Sequence, residues 1–473
     1  MYNKQGILES VARRFPLWVR YPLGFFCIGI IEPFKCGYLK YRNFNKFLEK
    51  SQWWSKERLE RYQMGKLKPL LEHACKNVPY YKNMCKKMHF TPDDFNSIRD
   101  LEKFPLLTKE DVVNNFSQLI AENISLKQKN KRLDSRSTSG STGKPMFFYR
   151  DKNYRFIKKS LFRWRNRVAG LRENNKCIHL WSYPFVEDNL DSLFLYAPYD
   201  RKLIISTANV ELNYFKKYLE LFRSFKPKYV IGPPSFLYLL ACYVEDKGEK
   251  GIKFPVFFST TENLLSFHRK AIERCFRCEI FNIYHSEEDL VSAVECQKHE
   301  GMHIMMQKGV VEIVNENGKL SKEGQRGRII CTGFNNYVMP FIRYEIGDVG
   351  TISYKRCSCG RGLPLLKKLA GRTSEMLNYN NMILDPAALS IIVKSVRNIK
   401  ECQFVQETSS LLKINIVKRK GYVDKDVEEF IGKIKGLIGN EVKVSLCFLD
   451  SIPRTRMGKF RFVINRSREK QNV

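Results

Sequence analysis

Apolar residues recur at helical spacing between residues 51 and 90, at Leu59, Tyr62, Leu67, Leu70 and Leu71, with Pro79 closing the run. This predicts a helical N-terminal region. From about residue 145 to 300 the pattern changes. Phe147-Phe148-Tyr149, Ile178-His179-Leu180-Trp181, Lys228-Tyr229-Val230-Ile231, Val256-Phe257-Phe258 and Ile280-Phe281-Asn282-Ile283 read as buried strands, with helices over Arg155–Ala169 and Asn213–Phe225. Such alternation predicts an α/β region whose strands run mainly parallel.

Residues 292–350 carry short strands separated by Gly and Asn: Val310–Val314, Gly327–Cys331 and Val349–Ile352. They suit a small antiparallel sheet. The last hundred or so residues form their own unit. Leu412, Ile414 and Ile416 alternate with polar residues, as do Val442, Val444, Leu446 and Phe448; between them Val427, Ile431, Ile434 and Ile438 mark one helix face. The expected organisation is a large N-terminal α/β domain over 1–371 and a small α+β domain over 372–473.

Composition supports this division, since 473 residues exceed one ordinary core, and 43% hydrophobic with 28% charged residues is globular. The net charge of +33 admits nucleic acid, an anionic membrane or anionic substrates as partners. The basic residues are scattered and no nucleic-acid recognition module is present, so a nucleic-acid partner is not expected. The uncharged run Tyr21 to Ile31 is too short to span a bilayer, which takes about 20 residues. It reads as a segment packed on the core, or as an interfacial anchor flanked by Arg13, Arg14, Arg20 and Lys35, peripheral on the inner face of the membrane. Fourteen cysteines without a secretory signal predict a reducing, cytoplasmic location with free thiols.

Candidate chemistry begins at Ser135-Arg136-Ser137-Thr138-Ser139-Gly140-Ser141-Thr142-Gly143-Lys144-Pro145. Glycines let the backbone approach a ligand, hydroxyls and N–H groups donate to phosphate oxygens, and lysine supplies charge. A Walker loop requires Gly where Thr138 stands, so this loop is of another kind.

Ser137–Pro145 resembles the phosphate loop of the adenylate-forming superfamily of acyl-CoA synthetases, adenylation domains and luciferases. Four further motifs follow in family order. Tyr284-His285-Ser286-Glu287-Glu288 resembles Tyr-Gly-x-Thr/Ser-Glu, and Tyr344-Glu345-Ile346-Gly347-Asp348 resembles the ribose motif Tyr-x-x-Gly-Asp. Gly371-Arg372-Thr373-Ser374-Glu375 resembles the hinge, and Pro453–Lys459 the C-terminal lysine motif. Within the superfamily the chain is similar to phenylacetate–CoA ligase, especially its relatives from capsular-polysaccharide gene clusters. Arg14-Phe15-Pro16-Leu17-Trp18-Val19-Arg20, Asn77-Val78-Pro79-Tyr80-Tyr81 and Phe104-Pro105-Leu106-Leu107-Thr108-Lys109 carry that likeness.

The resemblance implies ATP, Mg²⁺ and a carboxylic acid as reactants, and CoA as acceptor. It implies that Thr138, Ser139, Gly140, Ser141, Thr142, Gly143 and Lys144 hold the β- and γ-phosphates and that Glu288 coordinates Mg²⁺. Asp348 would accept from the ribose hydroxyls, Arg372 would reach ribose or phosphate, and Lys459 would bridge the α-phosphate and the substrate carboxylate. Thr261, Glu262 and Tyr284 would belong to the nucleotide pocket. The chain departs from the pattern at His285, Glu287 and Glu375, and Leu377–Leu384 lacks the glycine that relatives place beside the pantetheine tunnel.

A second cluster has metal-ligand types. Cys357 and Cys359 resemble half a zinc knuckle, and Cys296 precedes His299 and His303. If 292–296 pairs with 303–306 as a hairpin, Cys296 and His303 meet across it, and three thiolates with one imidazole suit structural zinc. His299 is the rival fourth ligand.

The reading is an AMP-forming acid ligase that passes its acyl group to a thiol such as CoA. One alternative passes it to an amine or hydroxyl of a sugar in surface-polysaccharide synthesis. Another is an inactive, membrane-peripheral scaffold.

Overall fold

The computed structural model describes residues 38–124, 133–137, 146–151, 153–181, 194–198, 200–207, 212–372, 375–379, 382–384, 386–394, 398–419, 421–455 and 459–469. The run Tyr21 to Ile31 lies outside them. No described helix is long and apolar enough to cross a membrane.

The described chain opens on helices α1 (Tyr38–Ser51), α2 (Lys56–Asn77) and α3 (Pro79–Lys87). Ser55 caps α2 by accepting from the Arg58 N–H at 3.4 Å, and Leu59, Leu67, Leu70 and Leu71 form its buried stripe. Pro79 opens α3 rather than closing α2, because a proline at the first helical position gives up only an N–H that would lack a partner. A short helix, α4 (Lys109–Asn114), follows.

Strands β1 (Leu133–Ser137) and β2 (Phe147–Asp151) form an antiparallel ribbon of their own, ahead of helix α5 (Tyr154–Val168). Phe147–Tyr149 is therefore a strand, as expected, but not a member of the parallel array. That array comprises β3 (Cys177–Trp181), β4 (Phe194–Ala197), β5 (Lys202–Ser206), β6 (Tyr229–Gly232), β7 (Val256–Ser259) and β8 (Glu279–His285). β5, β3, β6, β7 and β8 lie parallel in that order, with β4 antiparallel on the edge. Helices α6 (Leu212–Phe225), α7 (Pro234–Lys247) and α8 (Ser266–Phe276) connect these strands. The sequence pattern does not reveal α7. Phe236, Leu237, Leu239, Leu240 and Ala241 are all buried, so no polar face marks a helical period.

The strands expected to make a small separate sheet instead extend the large one. They are β9 (Ser292–Glu295), β10 (Met302–Ile304), β11 (Gly309–Val314), β12 (Gly327–Gly333), β13 (Tyr344–Ser353) and β14 (Leu365–Arg372). β9 pairs antiparallel with the end of β8, Tyr284 opposite Ala293, which fuses both halves into one 12-stranded sheet. Its order is β11-β12-β13-β14-β10-β9-β8-β7-β6-β3-β5-β4.

The C-terminal unit begins with the hairpin β15 (Leu377–Tyr379) and β16 (Met382–Leu384), then helix α9 (Pro386–Lys394). β17 (Ile399–Thr408), β18 (Leu411–Lys418), helix α10 (Asp424–Ile438), β19 (Lys443–Phe448) and β20 (Val463–Asn465) complete it. The sheet order is β19-β18-β17-β20. Leu412, Ile414 and Ile416 face Val427, Ile434 and Ile438 of α10, as the two periodicities predict. Leu265 of the large unit joins this core.

The expectation of free thiols fails at one pair. Cys75 and Cys85 are disulfide-bonded, with Cα atoms 6.1 Å apart, where the turn after α2 folds α3 back alongside it.

Candidate active site

The loop Thr138–Lys144 lies outside the described residues, but both shoulders are placed. Ser137 and Phe147 face each other at the ends of β1 and β2. Asp134 of β1 pairs with Arg150 of β2 at 3.0 Å, and Arg150 also donates to the Glu287 carbonyl at 3.1 Å. The ribbon is thereby tied to the Tyr284–Glu288 segment. Met146 receives the Tyr344 hydroxyl at 3.5 Å, and that hydroxyl lies 3.4 Å from a Glu288 carboxylate oxygen.

The two long antiparallel strands bring the next pair together. Asp348 on β13 sits opposite Arg372 on β14, with Arg372 Nε 3.8 Å from the Asp348 carboxylate. Tyr284, at the tip of β8, donates its hydroxyl to Asp348 at 2.7 Å. Burial raises the pKa of both Glu288 and Asp348 above the ordinary carboxylate range, and the Arg372 charge partly opposes it.

Lys459 reaches this cleft from the C-terminal unit. The Lys459 N–H donates to the Thr455 side chain at 3.0 Å, while the Lys459 carbonyl accepts from the Thr455 N–H at 2.9 Å. Glu262 anchors the neighbouring residue: its carboxylate accepts from the Phe460 N–H at 2.8 Å and lies 3.4 Å from the Ser235 N–H, on the first turn of α7. Glu262 thus joins the two units through its carboxylate, a use that a place in the nucleotide pocket does not anticipate. Its neighbour Thr261 holds a left-handed backbone, φ 75°. Burial and the Arg372 charge depress the Lys459 pKa, whereas Glu262, Glu287 and Glu375 favour its charged form. His285 is held neutral, at about 4, by burial and by the charges of Lys158 and Lys308.

The cysteine–histidine cluster forms where the β9–β10 hairpin meets the segment between β13 and β14. β9 and β10 pair with His303 opposite Val294, as the hairpin expectation requires. Cys296 Sγ lies 3.7 Å from Cys357 Sγ, and Cys359 Sγ lies 3.3 Å from His303 Nε2. One ligand atom from each of the four residues falls within 4.8 Å of the others. His299 turns away, to Glu295 at 3.2 Å and Glu279 at 3.1 Å. Cys296 and Cys357 belong to an apolar cluster with Leu48 of α1, Leu59 of α2 and Trp164 of α5. The turn after Cys359 is clamped there too: a Cβ on Gly362 would stand 1.8 Å from the Trp54 carbonyl oxygen.

The CapK C-terminal domain family matches residues 376–466. Protein CapK of Staphylococcus aureus is 24% identical over 404 residues, 82% of this chain and 85% of that protein. Phenylacetate-coenzyme A ligase of Thermus thermophilus is 23% identical over 442 residues, 87% of this chain and 97% of that protein. A solved structure of 2-hydroxyisobutyryl-CoA ligase, in the postadenylation state with R3-HIB-AMP, superposes with a TM-score of 0.72 at 16% identity, covering 90% of this chain and 93% of that one. The same ligase in the thioesterification state, with 2-HIB-AMP and CoA, gives 0.56 at 18% identity, covering 90% and 94%. The chain has the fold of the adenylate-forming CoA ligases. It superposes better on the postadenylation structure of 2-hydroxyisobutyryl-CoA ligase than on the thioesterification one.

Within this superfamily fold, one residue of the cleft received no role from sequence reasoning. Lys109 starts α4, where Thr108 and Asp111 form a capping box with contacts of 2.6 to 3.1 Å. Leu107 bridges to Tyr344, which carries Lys109 into the field of Arg372 and Glu288. The capping box is legible in the sequence; the bridge to β13 is not.

Proposed function

We propose that the protein is an ATP-dependent acid ligase that forms an acyl-adenylate, releases pyrophosphate and passes the acyl group to a thiol such as CoA. One observation carries this reading. Tyr284, Glu288, Asp348, Arg372 and Lys459 come from four separate stretches of chain and converge on one cleft beside the shoulders of the 138–144 loop. The relatives named as phenylacetate-coenzyme A ligases, and the acyl-AMP and CoA complexes of 2-hydroxyisobutyryl-CoA ligase, support it.

In the first step a substrate carboxylate oxygen bonds to the α-phosphorus of ATP, and the bridging bond to the β-phosphate oxygen breaks. Pyrophosphate leaves, and no proton moves. An anion approaches a polyanion, so fixed cations and donors supply the main stabilisation. Thr138, Ser139, Gly140, Ser141, Thr142, Gly143 and Lys144 are assigned to the β- and γ-phosphates, and Lys109 adds positive charge near Glu288 and Arg372. Asp348, oriented by Tyr284, takes the ribose hydroxyls, and Arg372 reaches ribose or phosphate. Lys459 spans the α-phosphate and the carboxylate, held in place through Phe460 and Glu262. The Glu288 carboxylate fits Mg²⁺, a hard cation that would offset phosphate charge when bound. In the second step the CoA thiol gives its proton to solvent, its sulfur bonds to the acyl carbon, and the bond from that carbon to the phosphate oxygen breaks, releasing AMP. For this step the unit from about residue 372 onward swings to withdraw Lys459.

Cys296, His303, Cys357 and Cys359 fit a structural zinc ion. Three sulfurs and an imidazole nitrogen already face one another, and Leu48, Leu59 and Trp164 pack with Cys296 and Cys357. When bound, the ion would cross-link the β9–β10 hairpin to the Cys357–Gly362 turn.

The test is acid-dependent ATP–pyrophosphate exchange over a panel of aryl, fatty and amino acids, followed by turnover with and without CoA. Exchange with at least one acid and CoA-dependent release of AMP are expected. No exchange with any acid would refute adenylation; turnover onto an amine or sugar without CoA would reassign only the acceptor.

A further inference from the structure

One short stretch between β7 and α8, residues 262–265, meets the C-terminal unit at its lysine turn, its boundary and its core. The Glu262 carboxylate accepts from the Phe460 N–H at 2.8 Å and lies 3.4 Å from the Ser235 N–H on α7. Asn263 packs against Gly371, near the end of β14: a Cβ on Gly371 would stand 2.9 Å from Asn263 Nδ2 and 3.2 Å from Pro386 Cγ of α9. Leu265, 5% exposed, enters the apolar core of the C-terminal unit. Phe267 packs both on that core and on the core of the parallel strands.

The turn that carries Lys459 is closed within its own unit. The Lys459 N–H donates to the Thr455 side chain at 3.0 Å, and the Thr455 N–H donates to the Lys459 carbonyl at 2.9 Å. Arg454, which leads into the turn, is bonded to Glu401 and lies over the Phe460 ring at 4.4 Å. The turn is therefore braced from behind, and Glu262 fixes where it sits relative to the cleft. Thr261, just before Glu262, holds φ 75°, a left-handed backbone that a β-branched residue seldom adopts. Such a conformation persists where the surroundings enforce it, and it recurs at switch regions and ligand clamps.

A bond from a carboxylate to a backbone N–H is of the strong, charge-assisted kind. When the C-terminal unit swings, the Phe460 N–H departs with Lys459, so this bond stabilises one arrangement and not the other. We propose that residues 262–265 are a latch for the arrangement with Lys459 in the cleft, and that Glu262 is a positioning residue for the first half-reaction alone. A nucleotide-pocket residue would serve both half-reactions, because the AMP moiety stays bound until the second is complete. The latch rests on the two-step ligase reading and adds to it the contact that sets which step the protein is poised for.

The full-length protein tests this in two ways. Without ligands, deuterium uptake is followed in peptides covering residues 459–463. Glu262→Ala should speed exchange there by about tenfold to a hundredfold, the usual worth of a hydrogen bond to a charged group, and Glu262→Gln, which keeps one acceptor oxygen, by less. Peptides of α10 should keep the wild-type rate. Unchanged uptake over 459–463 overturns the latch. So does an equal rise over α10, which would mark loosening of the whole unit. If Glu262→Ala does not fold, Glu262→Gln decides by the same comparison. The half-reactions are then read separately, as phenylacetate-dependent ATP–pyrophosphate exchange and as CoA-dependent consumption of supplied phenylacetyl-AMP. If phenylacetate is not a substrate, the acid with the fastest exchange in the panel replaces it. Glu262→Gln should lower kcat for the first by about fivefold or more relative to the second, with the KM for ATP within about threefold. Equal losses in both steps, or a raised KM with kcat kept, return Glu262 to the nucleotide pocket and overturn the latch. Exchange with no acid removes the ligase reading, and deuterium uptake then decides the docking contact by itself.

Discussion

The nucleotide cleft and the cysteine–histidine cluster are both assembled from residues far apart in the chain, yet their polar atoms are left in opposite conditions. In the cluster the ligand atoms point at one another, within 4.8 Å, inside a shell of Leu48, Leu59 and Trp164. In the cleft, burial pushes the carboxyls of Glu288 and Asp348 up and the amines of Lys109 and Lys459 down. Those groups are held by different elements and are only partly satisfied by each other. A closed set of donors suits an ion that stays, whereas half-matched charges suit a ligand that arrives, reacts and leaves. The cleft also spans the two units, through Glu262 and Phe460, while the cluster lies wholly within the large one.

Substitutions in the two regions should therefore fail differently. Lys459→Ala should lower acid-dependent pyrophosphate exchange by about a hundredfold to a thousandfold, the usual cost of losing one transition-state donor, with the melting temperature nearly unchanged. Equal exchange in the variant would remove the cleft from the chemistry. Cys357→Ser should do the reverse. It should release the zinc, about one ion per chain by metal analysis, and destabilise the fold by more than about 2 kcal/mol in chemical denaturation. Exchange per folded molecule should survive. A metal-free, fully stable wild-type protein would erase the comparison.

Acidity sharpens it further. Burial raises the folded pKa of Glu288 above its unfolded value, so the folded chain binds the proton more tightly. Stability from this group is complete at pH below the unfolded value and is lost as pH rises through the raised one. Glu288→Gln should thus gain stability relative to wild type between mildly acidic and neutral pH, in nucleotide-free thermal melts, and a gap independent of pH would contradict this. The smallest effect is expected at the rim between the units. Arg419 of the C-terminal unit bonds Asp246 at 2.8 Å and Glu245 at 3.1 Å, with its side chain 28% exposed. Arg419→Ala should change exchange by about fivefold at most, less at high salt, since exposed pairs contribute about 0.2–1 kcal/mol each. A loss as large as that of Lys459→Ala would mean that domain docking, not charge at the reacting atoms, limits the step.

Much of the fold is legible in the chain. The helix expected over Arg155–Ala169 is found over Tyr154–Val168, and the strand expected over Val256–Phe258 spans Val256–Ser259. The C-terminal alternation and helix face appear as β18, α10 and β19. These features have a strong local period. Helix α7 escapes because it is apolar on every side, and the fusion of the antiparallel strands to the parallel array escapes because the Tyr284–Ala293 pairing leaves no local mark. The hairpin that joins Cys296 and His303 is foreseeable from spacing, but the choice of His303 over His299 is not. It follows from a turn that sends His299 to Glu295 and Glu279.

By itself the sequence determined the kind of chemistry on offer: the ordered Ser/Thr/Gly loop, Glu288, Asp348, Arg372 and Lys459, and the Cys/His set. Residue type and chain order are properties of the polymer and survive without a fold. Only the tertiary structure decided which charges are compensated. It gave Arg150 and Arg343 their carboxylates, spent Glu262 on the Phe460 N–H, and brought Lys109 to the cleft. Compensation depends on distances of a few ångströms between elements that no local period constrains. The groups that await a ligand are therefore visible only once the chain is folded.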